Sequence, residues 1–114
     1  MTRGYWIVRA DIRDADAYKD YAAANGAALA AFGGRFLVRG GTFEAVVGAA
    51  RARNVVIEFA SYADALACWN SESYRAARAK QKGGVEAEIL IIEGYAGEQP
   101  GAGIPPQPEN PASE

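Results

Sequence analysis

The stretch Gly33-Gly34-Arg35-Phe36-Leu37-Val38-Arg39-Gly40-Gly41 decides how the chain is read. Two glycine pairs bracket five residues that alternate in character. Glycine pairs supply positive φ or close backbone approach, so the pattern predicts one short strand with sharp ends. Alternation puts Phe36 and Val38 on one face, and Arg35, Leu37 and Arg39 on the other. An alanine-rich segment precedes this strand and further β-prone sequence follows it.

Working outward, residues 15 to 32 are predicted helical. Asp14 is placed to cap the helix and Asp16 to favour its first turn. Tyr18, Tyr21, Asn25, Leu29 and Phe32 recur at helical spacing, so one stripe carries nearly every large side chain. Upstream, Tyr5 to Ile12 alternates as a strand, with Trp6, Val8 and Ala10 opposed to Tyr5, Ile7, Arg9 and Asp11. Downstream, Thr42 to Gly48 reads as a continuation of the glycine-bracketed strand past a bend. Arg53 to Phe59 is a third strand, with Val55, Ile57 and Phe59 facing one way. Ser61 opens a second helical region that breaks at Asn70-Ser71 and restarts through Tyr74 to about Lys82. Ala87 to Tyr95 is the last strand, with Leu90 and Ile92 opposed to Ile89, Ile91 and Glu93.

The order β-α-β-β-α-β predicts an α+β fold, the ferredoxin-like sandwich: a four-stranded antiparallel sheet with helices on one face. The other face holds Tyr5, Ile7, Leu37, Val56, Ile89 and Ile91 among Arg9, Arg39, Glu58 and Glu93. So many aliphatic groups point to a second copy of the sheet, giving a homodimer closed as a dimeric α/β barrel. Residues 1–96 form this domain. Residues 97–114 contain all five prolines and little to bury, and are expected to be a disordered Pro/Gly/Glu-rich tail.

Several pieces together resemble the uncharacterised bacterial family known as domain of unknown function 1330. They are Gly4-Tyr5-Trp6, Tyr18-x-x-Tyr21, Gly34 to Gly41, Val55-Val56-Ile57-Glu58-Phe59 with Ser61, Trp69-x-Ser71-x-x-Tyr74, and Glu93-Gly94. The resemblance spans about residues 3 to 96, and the glycine-bracketed strand is its most specific part. It implies the dimeric ferredoxin-like fold and no particular activity.

Composition narrows the chemistry. The 114 residues carry a net charge of -2. Glu98, Glu109 and Glu114 lie in the tail, leaving the rest of the chain close to neutral. Such a balance offers no field for nucleic acid or an anionic membrane. There is no histidine, which removes His-based triads, imidazole bases and most zinc sites. No acidic spacing suggests a metal, and no motif suggests a cofactor. The single cysteine, Cys68, excludes an intrachain disulfide, and no signal or transmembrane segment is visible, so a cytoplasmic setting is expected.

Arg39, with Arg9 as a further candidate ligand-binding residue, is read either as a clamp for a carboxylate or as an ion-pair partner of Glu58 or Glu93. Glu58 and Glu93, held among aliphatic groups, are candidate general bases or simply neutralised by arginines such as Arg9. Tyr18, Tyr21 and Asn25 border either a cavity or the adjacent strand ends. Trp69 and Tyr74 line a pocket mouth or cover the core. Two functions follow. One is a cofactor-independent enzyme acting on a small organic acid, with Arg39 orienting the carboxylate and Glu58 or Glu93 moving a proton. The other is a non-catalytic small-metabolite-binding or structural dimer.

Overall fold

The computed structural model describes residues 2–105; of the expected tail, residues 106–114 lie outside the described part. The elements run β1 (Gly4–Ile12), α1 (Ala15–Ala31), β2 (Arg35–Arg39), β3 (Arg53–Phe59), α2 (Tyr62–Asn70), α3 (Glu72–Ala79) and β4 (Val85–Glu93). The four strands form one open antiparallel sheet in the order β2-β3-β1-β4. The three helices cover one face of it. Local chemistry sets their ends. Asp14 accepts from the Ala17 amide, Ser61 from Asp64, and Ser71 from Tyr74, each satisfying an N–H that helix geometry leaves over. At the end of α1, Gly33 adopts φ 73°. Gly33 N–H then reaches the Ala30 carbonyl and Gly34 N–H the Leu29 carbonyl, the paired bonds of a Schellman turn.

Trp6, Ile57, Phe59, Ala65, Cys68 and Tyr74 form the centre of the core. Antiparallel partners share a face, so the buried Trp6 fixes the phase of its neighbours. It pairs with Ile57 on β3 and Ile91 on β4. Ile91 packs against the core, and Ile89, paired with Val8, lies on the same helix-covered face. The alternation expected for β4 is therefore inverted: Leu90 and Ile92 occupy the open face, and Glu93 stands opposite Gly4 on the other. Four consecutive aliphatic residues at 89–92 satisfy either phase equally well, and only the register with β1 decides.

β2 departs from simple alternation as well. Phe36 pairs with Ile57 but Val38 pairs with Val56, with a register shift between them. The bulge adds one residue, so Phe36 and Arg39 share the helix-side face while Arg35 and Val38 take the open one. Residues 42–48, expected to extend this strand, form no strand, and the whole 41–52 segment is irregular. They leave the sheet as an exposed loop with Phe43, Val46 and Val47 outermost. The loop returns through Arg51, whose Nη1 lies 2.7 Å from Asp11 Oδ2 and 3.3 Å from Glu86 Oε1, and Ala52 N–H donates to Asp11 at 2.9 Å. With this loop and the segment after β4, the molecule measures 53 × 32 × 20 Å.

Gly4 sits where β1 passes under the start of α2. A Cβ there would stand 2.5 Å from the Ser61 carbonyl and 2.6 Å from Tyr62 Cα, both backbone atoms that cannot swing aside. Gly4→Ala is expected to destabilise the fold by roughly 1–3 kcal/mol, read as a lower urea midpoint at unchanged slope.

Candidate functional site

Between the helices and the sheet lies a cavity of about 170 Å³. Trp6 and Val8 of β1 and Val55 and Ile57 of β3 supply its floor. Helix α1 contributes Tyr18, Tyr21 and Asn25 from one stripe, and α3 contributes Tyr74 and Arg78. Phe36 and Arg39 enter from β2 because of the bulge. Tyr21, Asn25 and Tyr74 are buried, whereas Phe36, Arg39 and Arg78 are exposed, which distinguishes an inner end from a rim.

The charges around the cavity have one sign. Arg39, Arg53 and Arg78 line it, and none of its lining residues is acidic. Each guanidinium is held by a ring: Arg39 Cζ lies 4.3 Å from the Phe36 centroid, Arg53 5.5 Å from Tyr18 and Arg78 4.4 Å from Trp69. Stacking of this kind leaves the N–H edges free for a planar oxyanion. None of the three has a carboxylate partner among the described residues. The Arg53 Nε is moreover buried without a hydrogen-bond partner, a condition that native structures rarely tolerate.

Tyr21 and Tyr74 join their hydroxyls at 2.9 Å. Burial, reinforced by the Tyr21 hydroxyl, pushes the Tyr74 phenol well above its ordinary value, so it stays protonated at neutral pH. Asn25 is 8% exposed and its side chain makes no hydrogen bond among the described residues.

Of the site residues expected from sequence, Arg39, Tyr18, Tyr21, Asn25 and Tyr74 come together here. Trp69 packs at the core edge, 5.5 Å from the Tyr74 ring, and supports Arg78 instead of lining the cavity. The other three lie elsewhere. Arg9 is on the open face, where Nη2 donates to the Ala49 carbonyl at 3.2 Å. Glu58, on the same open face, lies 3.4 Å from Arg35 Nε and 3.8 Å from Arg3 Nε, and accepts from the Tyr5 hydroxyl at 3.3 Å. Glu93 ends β4 and accepts from Thr2 Oγ1 at 2.8 Å. The two glutamates are thus on opposite faces, and Arg39 pairs with neither. Sequence reasoning missed Arg53 and Arg78. Arg53 was legible as the residue in phase with Val55 and Ile57, and Arg78 as the one a helical turn beyond Tyr74.

Among the described residues no group of Cys, Asp and Glu is placed to hold a metal ion. No described helix is long and apolar enough to cross a membrane. The sequence profile of domain of unknown function 1330 matches residues 3–95. No curated protein matches the chain. Solved structures similar in fold include two of the RPA0582 protein. The first, described as a protein of unknown function from Rhodopseudomonas palustris, aligns at TM-score 0.67 and 16% identity, over 80% of this chain and 81% of that one. The second, of the methylated protein, has the same TM-score and identity over 88% and 84%. At this identity the likeness concerns the fold alone.

Cys68 of α2 is fully buried in the core on the helix side of the sheet, with Sγ 3.8 Å from the Ala28 carbonyl of α1. Burial pushes its thiol up to about 11, so the thiolate needed for nucleophilic attack is scarce at neutral pH. Folded protein at pH 8 is expected to leave Ellman's reagent unreacted, with one thiol released on unfolding in guanidinium. Rapid reaction of the folded form would place Cys68 in a solvent-accessible setting.

Proposed function

The chain belongs to the family termed domain of unknown function 1330, and from the geometry of its cavity we propose that it binds a small organic acid between its helices and its sheet. The observation that carries this is a cavity lined by three arginines, Arg39, Arg53 and Arg78, and by no carboxylate, none of the three being ion-paired among the described residues. A ligand carboxylate supplies a charge-assisted partner for such a cluster of guanidinium groups. The aromatic and aliphatic walls suit an apolar ligand body. A proton-transfer role for Glu58 or Glu93 does not accompany this cavity, since neither lines it, and the non-catalytic binding reading is favoured accordingly. The buried Cys68 thiol fits a reducing, cytoplasmic setting.

Benzoate is expected to bind and to raise the melting temperature. Arg53→Gln, which keeps polar contacts but removes the charge, should weaken binding by about tenfold or more, or about 1.4 kcal/mol. Calorimetry showing no binding of benzoate or of small aliphatic carboxylates would remove this reading.

The open face supports a second part of the proposal, a two-fold homodimer that joins two sheets into a dimeric α/β barrel. Val38, Val56, Ile7 and Leu90 are successive cross-strand partners and make an apolar row across all four strands, with no helix over it. Burying such side chains stabilises by roughly 1.5–3 kcal/mol each, and a self-complementary sheet contact achieves that for both copies. Sedimentation equilibrium at micromolar concentration should give a dimer for the natural chain and a folded monomer for Leu90→Lys. A monomeric natural chain would refute the dimer.

A further inference from the structure

The inner end of the cavity differs from its rim, and the difference narrows the ligand further. Tyr21 and Tyr74 hydroxyls stand 2.9 Å apart. Each phenol carries one hydrogen, and the bond between them uses only one. Whichever phenol donates, the other hydrogen has no acceptor among the described residues. Both rings line the cavity and both are buried, Tyr74 at 2% exposure. Asn25, one helical turn beyond Tyr21, adds an amide more than nine-tenths buried that lines the same cavity without a partner. The inner end thus offers uncharged hydrogen-bonding groups, whereas Arg39 and Arg78 at the rim offer charge. Phe36, Tyr18 and Trp6 form the walls between them. The volume of about 170 Å³ suits a single ring, since an apolar cavity of about 150 Å³ holds benzene.

We infer that the ligand is a one-ring aryl acid bearing a hydroxyl or carbonyl oxygen, with its carboxylate at the arginines and that oxygen against Tyr21, Tyr74 and Asn25. This rests on the reading of the cavity as a carboxylate site and specifies the opposite end of the ligand. Benzoate would engage the guanidinium groups but leave the phenol hydrogen and the Asn25 amide unmatched. A ring oxygen accepts the first, and as a hydroxyl it also donates to the amide carbonyl. A tyrosine phenol is protonated throughout the neutral range, so the inner end remains a donor there.

The test is calorimetric titration of the full chain with benzoate, 3-hydroxybenzoate and 4-hydroxybenzoate. At least one hydroxybenzoate is expected to bind about tenfold more tightly than benzoate, the worth of one well-made hydrogen bond between uncharged groups. Tyr74→Phe should abolish that preference, bringing the hydroxybenzoates to the affinity of benzoate measured on the same variant, and Arg53→Gln should weaken all three acids alike. Tyr21→Phe serves as a second probe of the phenol pair should Tyr74→Phe not fold, and the comparison of acids on the natural chain needs neither variant. Equal affinities for all three acids would overturn the inference and leave the carboxylate reading standing. Failure of every acid to bind would overturn both.

Discussion

Trp6 is the side chain to which the sheet is keyed. Its ring meets Phe59, Trp69 and Tyr74 at centroid distances of 5.2, 5.6 and 4.8 Å, and its Nε1–H donates to the Ala65 carbonyl at 2.9 Å. That bond ties the centre of β1 to α2 and satisfies a polar group that would otherwise be costly to bury. β1 is a central strand paired on both sides, so its phase passes to β3 and β4 through the register. A one-residue slip would turn the indole out and exchange every face. The cavity floor, the apolar row on the open face and the position of Arg53 all follow from this anchor.

What could be read from sequence was what local chemistry determines. The caps at Asp14, Ser61 and Ser71 and the glycine stop after α1 each involve neighbours a few residues apart, and helix α1 and the break between α2 and α3 were legible for that reason. The stripe of Tyr18, Tyr21 and Asn25 was legible too, because helical spacing alone brings those residues to one side. The faces of β2 and β4 were not. A bulge leaves no mark in composition, and it is the bulge that carries Arg39 to the cavity. In β4, Ile89 to Ile92 has no polar residue to break the symmetry between faces. Residues 42–48 looked extended because Val46 and Val47 favour strands, but they have no neighbouring strand with which to pair.

The arginines divide by what holds them. On the open face and at its edge, Arg3, Arg13, Arg35 and Arg51 meet Glu58, Asp11, Glu86 and Glu88. The exposed Arg13–Glu86 pair contributes little stability, as surface ion pairs generally do, while Glu58 and Arg51 are partly buried members of theirs. Their effect here is one of allocation: these carboxylates are engaged away from the cavity. Hydrogen bonds and the charge of Arg51 hold Glu88 and Glu86 below the usual carboxylate range, the latter chiefly through Arg13. Arg39, Arg53 and Arg78, set against rings, have no carboxylate partner among the described residues.

The protruding 41–52 loop and the segment beyond β4 also govern how the molecule moves through solvent. The radius of gyration is 17.1 Å, whereas a compact chain of this length has about 13 Å. The same scaling assigns 17 Å to a compact chain of roughly twice the length. A single subunit therefore has the size of a tightly packed globule of twice its mass. Elution volume on a calibrated column, which reports size, would overstate the mass of such a chain, so chain number is properly read from mass, by sedimentation equilibrium or light scattering.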